Sequence, residues 1–198
     1  GEGVAYYALA EAVRGRLNSL KVEGAGSDDD DADQAELLAA ELAEYVPDLE
    51  EREWLEPRLG SLLGIGGLGT FTREDLFNAW TTFFARISGE GDPVVLVVED
   101  AQHGDDGLVG FLEHLMAVAS FPLFVLLLAR HGLLENRPAL ATNRRVTILH
   151  LEALGAADMG TLVDGLVQGL PDTIRASLVE RSEGIPLFAV ETVRSLID

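Results

Sequence analysis

The sequence predicts an α/β fold of three layers built on a parallel sheet, and three observations carry that expectation. Apolar runs near residues 94–99 and 123–129 stop abruptly at charged or polar residues, as buried parallel strands do, and residues 145–151 read as a third strand with Val146 and Ile148 on one face. Between and around them, apolar side chains recur at helical spacing. The strand, helix, strand order with short connections implies a right-handed parallel unit. A chain of 198 residues with 47% hydrophobic content can bury a substantial core. The expected division is an α/β core with an N-terminal helical region over residues 1–152, and a helical subdomain over residues 153–198.

Taken in order, Tyr6, Ala10, Val13, Leu17 and Leu20 form the stripe of a core-packing helix. The segment 24–33, with four consecutive aspartates from Asp28 to Asp31, reads as a solvated loop or the lead-in to a helix N-terminus, where negative charge suits the dipole. A second stripe, Ala35, Leu38, Ala39, Leu42 and Val46, ends at Pro47. A third runs from Trp54 to Leu63 with Pro57 in its early part. Thr72 and Asp75 have the spacing of a capping box, and Leu76, Trp80, Phe83, Phe84 and Ile87 make the apolar face that follows. Those aromatics at helical spacing read as core rather than as a base-stacking platform.

Five aliphatic residues from Val94 to Val98 then read as a strand buried on both faces, ending in Glu99 and Asp100. Asp105 or Asp106 caps a helix through Leu108, Phe111, Leu112, Leu115 and Met116. Leu123 to Ala129 is the second strand, stopping at Arg130, and Arg145 to Leu151 is the third. Helices follow through Met159 to Val167, from Pro171, and from Pro186.

Paired acids at the carboxyl end of a strand admit two readings. They suit a hydrated Mg²⁺ with a phosphate beyond it, at the sheet edge where α/β proteins bind ligands. Equally, they solubilise a strand end and start a turn. The charge balance narrows the ligands: 14 basic against 34 acidic residues give a net charge of −20, which repels nucleic acid and anionic membranes. A phosphate would have to be met locally. Cysteine is absent, so thiol catalysis and disulfides are excluded. The longest apolar run is far shorter than the roughly 20 residues a membrane helix needs, and a cytoplasmic location is expected. Gly64 to Thr70 has phosphate-loop glycines, but Thr70 stands where the lysine belongs and Phe71 where the hydroxyl belongs. It reads as an interhelical linker. Lys21, the only lysine, is not flanked by the required glycines.

The stretch Val94 to Leu108, the strand end Leu126 to Arg130, and Glu183 to Phe188 together resemble the ATPase domains of STAND signalling proteins, an AAA-like P-loop class. The likeness is to those fused to class III adenylate cyclases or to LuxR-type transcription regulators, and it extends over Tyr6–Arg14, Arg52–Leu63 and Glu74–Phe84. It implies an incomplete P-loop NTPase sheet with a C-terminal helical lid, and Mg²⁺ with ATP or ADP as cofactors. Glu99 and Asp100 would be the Walker B pair, both at the metal, with Asp100 acting on the attacking water. Arg130 would read the γ-phosphate, and Gly184 and Pro186 would belong to the lid turn against the nucleotide. Arg144 and Arg145 are weaker candidates for phosphate or partner contact.

Three departures from the family pattern matter. Gln102-His103 replaces the common His-Trp, Ile185 replaces the lid asparagine, and the Walker A segment has no counterpart. Together with a first residue that is Gly1, this leads us to expect a fragment whose vacant central slot either closes or pairs with another chain. Function then divides two ways. One reading is a partial ATP-binding regulatory domain, inactive as an isolated chain, with a cyclase or DNA-binding output domain in its parent. The other is a non-catalytic interaction or regulatory module. Self-association through unpaired strand edges is expected on either, and direct nucleic-acid or membrane binding on neither. A two-metal hydrolase using Asp105, Asp106 and His103 as well ranks last, for want of further ligands.

Overall fold

The computed structural model describes residues 6–19, 30–65, 69–89 and 91–197, and it divides the chain into two compact units, Gly1–Val146 and Thr147–Asp198. Residues 20–29, which hold Lys21 and the first two aspartates of the acidic run, lie outside the described residues, as do Gly66 to Leu68 of the glycine-rich linker.

The first unit is mainly helical. Helices α1 (Tyr7–Ser19), α2 (Asp30–Tyr45), α3 (Leu49–Leu63) and α4 (Arg73–Ile87) precede β1 (Val94–Val98), and α5 (Asp106–Val118) leads to β2 (Leu123–Leu127). Local chemistry sets the helix ends. The Asp48 side chain accepts the Glu51 amide at 2.9 Å to cap α3, and Gly64 closes it in the left-handed conformation that glycine tolerates at φ 75°. Thr72 and Asp75 form the reciprocal capping box of α4 expected from their spacing.

Packing of these helices follows from their stripes. Leu9, Val13 and Leu17 of α1, Leu38 and Leu42 of α2, Leu55 and Leu59 of α3, and Phe77, Trp80 and Phe84 of α4 are buried in one cluster. Phe111 of α5 is fully buried at its aromatic centre, with its ring 5.3 Å from Phe77 and 5.4 Å from Trp80 in edge-on contacts. On a neighbouring seam, the buried Glu41 carboxylate takes the Arg16 guanidinium at 2.5 Å, tying α2 to α1.

The expected three-layer P-loop NTPase sheet is not what forms. Among the described residues the sheet has two strands, β1 and β2, parallel and in register from Val94 with Leu123 to Val98 with Leu127. Residues 145–151 form no strand. The Asn143 carbonyl and side chain instead take the amides of Val146 and Arg145 in a turn, and Ile148, Leu149 and Leu151 are left exposed. Alternating apolar residues there have strand character, but a strand exists only where a neighbouring edge supplies its hydrogen bonds. The unexpected short helices α6 (Gly132–Asn136) and α7 (Pro138–Thr142) occupy the connection after β2, with Pro138 in the first turn of α7.

Nor is β1 buried on both faces. Leu96 and Val98, with Leu123, Val125 and Leu127 of β2, pack on the helical core, while Val95, Val97, Phe124, Leu126 and Leu128 face outward. Period-2 alternation separates the two sets cleanly. A chain of like aliphatic residues hides that alternation, because its hydropathy is the same on both faces.

The second unit is a three-helix cluster, α8 (Ala156–Leu166), α9 (Asp172–Arg181) and α10 (Pro186–Ile197), around Met159, Val163, Leu178, Ala189 and Val193. Arg175 grips Asp164 with two hydrogen bonds of 2.6 and 2.8 Å across α8 and α9. That guanidinium holds the Asp164 carboxyl below its ordinary value of 3.8. In the described residues no helix is long and apolar enough to cross a membrane.

Candidate functional site

The carboxyl end of the β1–β2 pair is assembled by its own backbone. The Leu128 amide donates to the Val98 carbonyl at 2.9 Å and the Ala101 amide to the Leu128 carbonyl at 2.9 Å, so the chain leaving β1 is laced to the chain leaving β2. Asp100 makes the turn with φ 49° and ψ 39°, a left-handed conformation that costs about 1–2 kcal/mol for an L-residue and that aspartate tolerates better than most. A single 3-10 turn, Ala101–His103, follows and buries Ala101.

Gln102 then joins the two strand ends. Its amide nitrogen donates to Asp100 Oδ1 at 2.9 Å, and its Oε1 accepts the Arg130 backbone amide at 3.0 Å. Two of the residues expected at the site are thereby bridged, one through its side chain and one through its backbone. Gln102 was expected only as a departure from the family's His-Trp, and its bridging role was missed. A signal existed: an amide side chain two residues beyond an aspartate at a strand end can reach both.

The remaining site residues are placed less closely. Glu99 and the Arg130 side chain are exposed, and no Glu99–Arg130 ion pair occurs among the described residues. Asp105 is structural: it caps α5 by accepting the Leu108 amide at 2.9 Å and also accepts the Tyr6 amide at 2.9 Å. Asp106 pairs with Arg137. Arg145 donates to the Met116 carbonyl, and Arg144 is exposed. Gly184 and Pro186 belong to the second unit. There the Gly184 carbonyl accepts the Leu154 amide at 2.8 Å, and φ of 77° together with Leu154 O lying 2.7 Å from where a Cβ would stand makes glycine a requirement.

The donor set decides what metal chemistry is open to this edge. Among the described residues no three histidine or carboxylate groups converge. Mg²⁺ asks for less, since one or two carboxylates suffice where waters and phosphate oxygens complete the octahedron. Glu99 and Asp100 fit that partial role and would hold such an ion only with a phosphate fixed by other groups. A cleft of about 360 Å³ lies in the first unit against Tyr6, Arg14, Leu62 and Trp80.

No family model, no curated protein and no solved structure matches the chain.

Proposed function

We propose that this chain is a non-catalytic interaction and regulatory module of a signalling protein, working through the β1–β2 sheet. The observation that carries this reading is the outward sheet face. Val95, Val97, Phe124, Leu126 and Leu128 are each 40–58% exposed and contiguous across two paired strands. Parallel strands ordinarily have both faces covered, and contiguous apolar surface on this scale marks an interaction site. The edge beside it is acidic, with Glu99 and Asp100 exposed. A cytoplasmic setting accords with the absence of cysteine. The test is a MgATP turnover assay beside a binding assay on the isolated chain. No turnover is expected, and robust hydrolysis lost in Asp100→Asn would refute the non-catalytic reading.

One observation favours a second reading, that the strand ends contribute to a Mg²⁺–ATP or Mg²⁺–ADP site completed by groups outside these residues. Gln102 fixes Asp100 and Arg130 at one edge, where a carboxylate suits the metal and a cation suits a phosphate. On this reading Asp100 and Glu99 face the metal, and the parent carries a cyclase or DNA-binding output domain. Calorimetric titration with MgATP separates the two. Binding weakened alike by Asp100→Asn and Arg130→Gln supports the half-site, and binding indifferent to both removes it.

A further inference from the structure

From the outward face of the β1–β2 sheet and the charges at its ends we infer a particular occupant: a basic amphipathic helix supplied by a partner. This inference rests on the interaction reading above. The class of the partner element follows from the sheet, because both strands run parallel and the layer that covers parallel strands is helical. Helical cover already lies on the inward face, where Leu96, Val98, Leu123, Val125 and Leu127 meet the core. The outward face presents two rows, Val95 and Val97 on one strand and Phe124, Leu126 and Leu128 on the next. Such a surface accepts an apolar stripe of i, i+3, i+4, i+7 spacing.

Charge selects the sign of the flanks. Asp92 stands exposed before β1, and Glu99 and Asp100 stand exposed after it, on a chain of net charge −20. The seven steps from Asp92 to Glu99 span about 23 Å at ~3.3 Å each, a distance that a helix covers in about 15 residues. The fitting partner is therefore a helix of about four turns with lysine or arginine near both ends. Arg130 and His131 follow β2, so the acidic bias is concentrated on the β1 side and gives the helix a preferred placement. A second copy of this chain is a poorer occupant, since two surfaces of the same strong negative charge repel.

The experiment uses the full chain and two fluorescent 18-residue peptides with leucine at i, i+3, i+4 and i+7. One carries lysine at the remaining positions and the other glutamate. Anisotropy titrations are expected to show micromolar binding of the lysine peptide, at least tenfold weaker in Val97→Asp and in Leu126→Asp, and weaker in high salt. Leu187→Asp, on an exposed site of the second unit, should bind as the parent chain does. Val97→Thr, milder for the strand, should give an intermediate loss, and circular dichroism of each variant checks that the fold survives. Equal binding of the glutamate peptide at the same face would overturn the charge assignment while leaving the interaction reading in place. Binding of the lysine peptide unaffected by Val97→Asp and Leu126→Asp would overturn both. A free chain that is dimeric and becomes monomeric on Val97→Asp would show that a second copy is the occupant and overturn the proposal.

Discussion

Truncating a phenylalanine on each side of the sheet should have unequal consequences. Phe111 is 0% exposed, and its ring lies 5.3 Å from Phe77, 5.4 Å from Trp80 and 6.2 Å from Phe84. Phe111→Ala removes a wholly buried ring from a packed centre, at a cost of about 3–5 kcal/mol. Phe124 is 58% exposed, so most of its surface is already in water in the folded state. Phe124→Ala loses only contacts along the strand and some β-propensity, about 1 kcal/mol or less. Urea unfolding of the first unit, followed by tryptophan fluorescence because Trp80 contacts Phe111 directly, gives both values from shifts in midpoint at constant slope. A Phe124→Ala cost equal to that of Phe111→Ala would mean that the outward face is buried in the free chain, and the docking surface would not exist.

Four further outcomes follow from local geometry. Asp100→Gly should be neutral or stabilising by up to about 1 kcal/mol, because glycine adopts φ 49° freely, whereas Asp100→Val should destabilise; thermal melts distinguish them. Gly184→Ala should destabilise the second unit by about 1–3 kcal/mol, since a Cβ would meet Leu154 O at 2.7 Å on top of the positive φ; its melting transition reports this. Asp48→Ala should cost about 1 kcal/mol through the lost cap of α3, read from the urea midpoint. The Thr72 hydroxyl and amide hold the Asp75 carboxyl below its ordinary value of 3.8. A carboxyl depressed in the folded state adds stability that is present above the unfolded value and is lost as pH falls through the folded one. Carboxyl NMR should therefore show Asp75 titrating below 3.8 in the folded chain and returning toward it in Thr72→Ala, with the α4 N-terminus fraying only at the acid end.

Most of the helices could be read from residue chemistry, and the reasons are local. Thr72 with Asp75, Asp105 before Leu108, and Pro47 after Val46 mark boundaries through groups only a few positions apart, and both strands that form announce themselves as aliphatic runs stopped by polar residues. What was not legible depends on partners distant in the chain. Residues 145–151 carry a strand's composition but pair with no strand among the described residues, and no pattern within seven residues reveals that. The outward exposure of Val95 and Val97 is invisible for a related reason: an unbroken aliphatic run looks the same whether one face is covered or two. At the strand ends the acids were found from sequence, Gln102 was not, and the left-handed turn at Asp100 has no sequence signature beyond the tolerance of aspartate for it. Pro138 in the first turn of α7 is a local signal for that helix.

The outward sheet face can be interrogated most directly by thiol chemistry, because the chain has no cysteine of its own. Val97→Cys and Leu126→Cys each place one thiol on that face, and Phe111→Cys places one in the core as reference. In the free chain the first two should react with a disulfide reagent at the rate of an exposed thiol, slow sharply when the lysine-bearing helix is added, and regain speed in high salt. Slow reaction in the free chain, matching that at position 111, would contradict the claim that this face is open for a partner.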